Sequence, residues 1–142
     1  MTAPSPAPSP PPSAVPWPGA RWLLIAAVLG ALGVAAGAFG AHGLREQVGP
    51  KQLEWWQTAA RYQQIHALAL LLVAWAPGSW TRARSLSALG FCVGVLVFSG
   101  TLYAMALGGP RVLGAVTPLG GLSLISAWAA LAVHARRAPP PS

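Results

Sequence analysis

Three long apolar stretches dominate the chain, and a fourth is broken by polar residues. The first runs from Trp22 to Ala41, WLLIAAVLGALGVAAGAFGA, without a single charge. At about 1.5 Å of rise per residue, a helix of that length covers the ~30 Å hydrocarbon core of a bilayer. Arg21 and Trp22 stand where headgroups would lie. The stretch exceeds a signal-peptide h-region and is followed by others like it, so it reads as an uncleaved span. The second is interrupted: only Ala67 to Ala76 is continuous apolar sequence, too short to cross alone. It crosses only by taking Tyr62, Gln63, Gln64 and His66 into the membrane. No proline lies between Pro50 and Pro77, so a helix from about Gln52 to Trp75 is predicted, with Trp55 and Trp56 at headgroup depth.

The third stretch covers about 85–107 and ends at Gly108-Gly109-Pro110, a turn signal. The fourth covers about 112–133 and contains Thr117-Pro118 and Gly120-Gly121, tolerable in a membrane helix whose neighbours satisfy the freed carbonyl. The pattern therefore predicts an all-α, integral membrane, antiparallel four-helix bundle. Its helices are expected at about 22–41, 60–76, 85–107 and 112–133, with an interfacial helical start over 52–59. Together they make one transmembrane domain, 21–137. Residues 1–20 hold eight of the fifteen prolines, and 139–141 are all proline; 1–20 and 138–142 are expected to be disordered tails.

Composition points the same way. The chain is 54% hydrophobic and 8% charged, against roughly 25% charged in soluble domains, too few charges to solvate a globule. The net charge of +7 raises nucleic acid as a partner, but the basic residues lie singly or in pairs at the ends of apolar runs. That distribution marks topology, with the lipid bilayer as partner and no nucleic acid. Arg21, Arg82, Arg84, Arg136 and Arg137 fall on the side of the termini, and Arg45, Lys51, Arg61 and Arg111 on the other. The positive-inside rule then leans toward cytoplasmic termini. The lone Cys92 excludes an internal disulfide and reads as a small apolar filler. Gly33 with Gly37, and Gly90 with Gly94, are small-residue pairs suited to close helix packing, within one bundle or against a second copy or a membrane-protein partner.

Candidate chemistry collects in one leaflet. In this topology His42, Tyr62, Gln63, His66, Ser99, Tyr103 and Thr117 all lie toward loops 1 and 3. Tyr62 with His66, Gln63 with His66, and Ser99 with Tyr103 are three or four residues apart, hence neighbours on a helix face. Polar groups facing lipid are costly, so a polar pocket inside the bundle is expected. Three readings stay open for it. The side chains can simply stitch helices together. They can form a proton or ion path through His66, Tyr62, Gln63 and Tyr103, although the spans lack Asp and Glu. Or His42 and His66 can ligate haem or a metal, although His66 would sit about 9 Å deeper than His42. No other cofactor or metal is called for. No enzyme is indicated, because Ser99 beside His66 has neither an acidic orienter nor a nucleophile elbow. Glu46 and Glu54 lie beside Arg45 and Lys51 and read as solvated ion pairs, and His134 as a solvated helix-end residue on the far side.

Four blocks in order carry a family resemblance: Gly37-Ala-Phe-Gly-Ala-His42-Gly-Leu44; Trp56-Gln-Thr-Ala-Ala-Arg-Tyr62-Gln63-Gln-Ile-His66-Ala-Leu-Ala-Leu70; Phe98-Ser99-Gly100-Thr-Leu-Tyr103; and Thr117-Pro118-Leu-Gly120-Gly121. Over about residues 22–135 the chain resembles the YgdD-like family of small membrane proteins, also called domain of unknown function 423, with transmembrane protein 256 relatives in eukaryotes. The resemblance implies four transmembrane helices in a bacterial cytoplasmic (inner) membrane. It brings no established reaction, cofactor or substrate.

Overall fold

A computed structural model describes residues 17–137, and of Arg137 only the backbone; residues 1–16 of the tail expected over 1–20, and the tail expected over 138–142, lie outside the described residues. Four helices follow one another: α1 (Ala20–Phe39), α2 (Pro50–Trp75), α3 (Arg82–Ala106) and α4 (Leu113–Arg137). A π-helical segment, Gly40–Leu44, extends α1 toward loop 1. The protein is an all-α membrane bundle.

Each boundary has a local cause. Pro50 occupies the first position of α2, where its missing N–H is no loss. The backbone N–H of Gly49 donates to the Gln52 side chain at 3.1 Å. Thr81 caps α3, its hydroxyl accepting from the Arg84 N–H at 3.2 Å. At the far end of α3, Gly108 takes a left-handed φ of 90°. The Gly109 N–H then reaches Ala104 O at 2.8 Å and the Gly108 N–H reaches Met105 O at 3.1 Å, the double closure that ends many helices. Residues 17–20, expected to belong to the disordered tail over 1–20, instead form a turn and the start of α1. The turn closes from the Ala20 N–H to Trp17 O, and the Trp17 ring meets Trp75 edge-on at 5.9 Å.

Inter-helix hydrogen bonds fix the antiparallel order. Trp56 donates to Ala36 O and Gln63 to Leu29 O, so α2 climbs as α1 descends. Ser99 donates to Ala59 O and Arg84 to Val73 O, relating α3 to α2 in the same sense. Ser123 donates to Gly90 O while Thr101 meets Thr117, which does so for α4 and α3. The substantial interfaces are α1 with α2, α2 with α3 and α3 with α4. Helices α2 and α3 are therefore central, and α1 and α4 flank them.

Side-chain size is sorted from inside to outside. Ala26, Ala59, Ala60, Ala67, Ala74, Ala88 and Ala127 are buried, while Leu24, Leu32, Leu68, Leu72, Leu96, Leu122 and Ile125 point outward. That is the arrangement of a lipid-facing bundle, where small residues let backbones approach and leucines meet acyl chains. Three helical segments are long and apolar enough to cross a membrane: Ala20–Leu44, Arg82–Ala106 and Leu113–Arg136. Helix α2 falls short of that measure because it carries Gln63, Gln64 and His66. Gln63 and His66 are buried between its neighbours, so α2 crosses with protein in place of lipid around its polar side chains.

The glycine pairs are spent within the chain. A Cβ at Gly33 would meet Gln64 Cγ at 2.9 Å, and Gly37 faces the Gln64 amide. A Cβ at Gly90 would meet Ala127 Cβ at 2.9 Å, and Gly94 receives Leu124.

Candidate functional site

The seven candidate polar residues do not share one pocket. Around α2, Gln63 lies on the side of α1, while Tyr62 and His66 lie toward α4. The Gln63 amide donates to Leu29 O at 2.8 Å and its oxygen accepts from the Tyr103 hydroxyl at 3.1 Å. Ser99 donates to Ala59 O at 2.9 Å. Gln63, Ser99 and Tyr103 thus form one group, at the floor of a small cleft of about 310 Å³ between α1 and α3.

His66 belongs to the opposite group. Its Nδ1 lies 2.7 Å from Tyr62 O. A carbonyl only accepts, so Nδ1 carries the proton. The ring is buried among Tyr62, Phe91 and Trp128, at centroid distances of 5.7, 5.8 and 6.3 Å. Tyr62 itself is exposed at its outer edge and stacks on Phe98 at 4.4 Å. Thr117 pairs with Thr101 at 2.8 Å and with Leu113 O at 3.1 Å. His42 stands apart from both groups, exposed on the π-helical segment. The expected single pocket fails because Gln63 and His66, though only about 60° apart around the axis of α2, have different helices beside them: Gln63 reaches Leu29 of α1, and His66 packs on Phe91 of α3 and Trp128 of α4.

Other residues matter more than their sequence context signalled. Trp56, expected at headgroup depth, is buried: its indole N–H donates to Ala36 O at 2.7 Å and its ring sits 4.5 Å from Tyr103. Gly40 makes the notch, since a Cβ there would meet the Trp56 ring at 2.6 Å. Arg84, expected as a loop charge, is only 1% exposed. His134, expected to be solvated, lies 2.9 Å from the Thr81 hydroxyl and ties the end of α4 to the start of α3. Lys51 and Glu54 do form a solvent-exposed ion pair, at 2.9 Å.

A larger concavity than this cleft lies elsewhere. A groove of about 650 Å³ opens between α2, α3 and α4 at the end bearing loops 1 and 3. Trp55, Phe98, Leu102 and Met105 form its apolar walls, with Gly114, Thr117 and Pro118 on the α4 side. Lys51 and Arg111 stand at its mouth. Pro118 has no N–H to return to the carbonyl of Gly114, so that groove-wall carbonyl lacks its usual helical donor. Among the described residues, no three His, Cys, Asp or Glu side chains gather as a metal site.

These contacts run between the four blocks singled out in the sequence: Gly40 with Trp56, Ala59 with Ser99, Gln63 with Tyr103, Thr101 with Thr117, and Phe98 with Gly120. Residues 36–121, which span all these pairs, match the family described as Protein of unknown function (DUF423). The chain belongs to that family. Relatives of the DUF423 family are similar over nearly their whole length. The membrane protein YwdK of Bacillus subtilis (strain 168) is 36% identical over 116 residues, covering 80% of this chain and 94% of its own. The inner membrane protein YgdD of Escherichia coli (strain K12) is 40% identical over 119 residues, covering 81% and 88%. A membrane protein of Haemophilus influenzae is 38% identical over 112 residues, covering 79% and 90%. No solved structure matches the chain. The protein is a multi-pass membrane protein of the bacterial inner membrane.

Proposed function

We propose that this DUF423 protein is a non-catalytic, accessory component of the membrane that holds an apolar or amphiphilic small ligand in the groove between α2, α3 and α4. The observation that carries the reading is the groove's size and lining. At about 650 Å³ it lies within the range of small-molecule sites, roughly 300–1,000 Å³. Its walls are apolar, while most candidate polar side chains of the bundle are engaged with backbone carbonyls or with each other. Those bonds stitch helices and leave little for chemistry.

Native mass spectrometry of protein purified in mild detergent tests it. Gly114→Leu would extend a side chain into the groove, since a Cβ there meets only Met105 Sδ at 3.6 Å. A ligand of a few hundred daltons on the wild type, lost from a folded Gly114→Leu, is expected. Equal retention by both would end the reading.

A proton path through His66, Tyr62, Gln63 and Tyr103 has one observation in its favour, the Tyr103–Gln63 hydrogen bond. It has less support, because the four groups fall on two sides of α2 and their bonds end on backbone carbonyls. Equal pH-driven flux into proteoliposomes with and without His66→Ala would dispose of it. Haem ligation by His42 and His66 is supported less again, as the exposed His42 lies apart from the buried His66. A Soret band after haem supplementation would revive it.

A further inference from the structure

We propose that the occupant of the α2–α3–α4 groove is an anionic phospholipid, with its phosphate at Lys51 and Arg111 and an acyl chain along the apolar walls. The inference rests on the groove being a binding site and names the class of its ligand.

Polarity along the groove is graded. Lys51 is the second residue of α2 and Arg111 lies two residues before α4, so both cations belong to the same end of the bundle. Beyond them the walls are Trp55, Phe98, Leu102 and Met105. Cations at headgroup depth over an apolar channel match a molecule with a charged head and a hydrocarbon tail. A soluble anion would leave the walls unfilled, and a purely apolar ligand would leave the cations unused.

The charge balance at the mouth selects a net negative head. Glu54 pairs with Lys51 at 2.9 Å, with both side chains about two-thirds exposed. Exposed pairs of this kind are worth little and yield readily to a competing anion. Arg111 has no ion pair among the described residues. Two cations against one carboxylate leave one positive charge, which an anionic headgroup neutralises and a zwitterionic one does not. The guanidinium also offers the planar fork that grips two phosphate oxygens at once. The Gly114 carbonyl, lacking a helical donor at Pro118, supplies an acceptor for a headgroup hydroxyl.

Delipidated full-length protein in detergent, titrated with phosphatidylglycerol, phosphatidylcholine of the same acyl chains, and glycerol phosphate, tests this by native mass spectrometry. The wild type should bind phosphatidylglycerol at least about fivefold more tightly than phosphatidylcholine, as about 1 kcal/mol per basic residue implies. Lys51→Gln/Arg111→Gln, both exposed substitutions, should abolish that preference. Gly114→Leu should weaken both lipids. Equal binding of the two lipids, or a preference that survives in the double variant, overturns the anionic assignment while the groove reading stands if Gly114→Leu still blocks. Lipid binding indifferent to Gly114→Leu overturns the groove reading itself. Competition by glycerol phosphate at the concentrations effective for phosphatidylglycerol identifies a free phosphate site and overturns the lipid.

Discussion

The guanidinium of Arg84 donates through Nε to the carbonyl of Val73 at 2.8 Å, near the end of the neighbouring helix. Its other nitrogens reach Ala74 O, Ala76 O and Gly78 O, and its face covers the Trp80 ring at 4.4 Å. The last carbonyls of a helix have no intrahelical donor and carry partial negative charge. Arg84 closes the end of α2 from within α3. Replacing it with methionine should destabilise the protein by about 2–4 kcal/mol, since several buried acceptors lose a charged donor. Lysine should recover only part, because a point charge cannot reproduce the fork. Thermal unfolding in detergent reads both, and an unshifted Arg84→Met midpoint would show the cap to be idle.

Close packing of α3 on α4 depends on Gly120. A Cβ there would meet Phe98 Cα and Cβ at 2.8 Å, and backbone cannot give way as a flexible side chain can. Gly120→Ala is expected to cost about 1–3 kcal/mol. Gly100→Ala, which meets nothing within 4 Å, is the matched control and should be neutral. Equal stability of the two variants would contradict the packing.

Gln63 and Tyr103 should be weakly coupled. Bonds between membrane helices average about 0.6 kcal/mol in double-mutant cycles. A cycle of Gln63→Leu and Tyr103→Phe, followed by unfolding equilibria, should return a value of that order. A coupling above about 2 kcal/mol would indicate a stronger role than stitching.

Cytoplasmic termini are expected from five basic residues on the terminal side against four on the other. Arg84 counts in this balance even though it ends buried, because topology is set before the bundle packs. A C-terminal fluorescent-protein fusion should glow, and a phosphatase fusion that works only in the periplasm should be silent. The reverse pattern would invert the topology.

Composition and hydropathy alone determined the class and the number of long helices. With 8% charge, only lipid can solvate runs such as Trp22–Ala41, and backbone in lipid has to be helical. The continuity of α2 through its polar stretch was legible as well, because ten apolar residues cannot span without taking Gln63 and His66 along. The glycine pairs were legible as contacts but not as internal ones; Gln64, Ala127 and Leu124 fill them, and that is a matter of which helix lies opposite.

Tertiary structure decided the rest. Depth is a one-dimensional quantity that sequence position largely supplies: His42, Ser99, Tyr103 and Thr117 lie toward the end bearing loops 1 and 3, whereas His66, expected there too, lies past the middle of α2 against Phe91 and Trp128. Which way each points depends on the rotation of its helix and on its neighbours. Flanking α2 and α3 with α1 on one side and α4 on the other split the polar set in two and left His42 outside. The same arrangement drew Arg84 from an expected loop to a buried cap, and brought Lys51, sixty residues away in sequence, to the same groove mouth as Arg111. Periodicity records the faces of a helix; only packing assigns them partners.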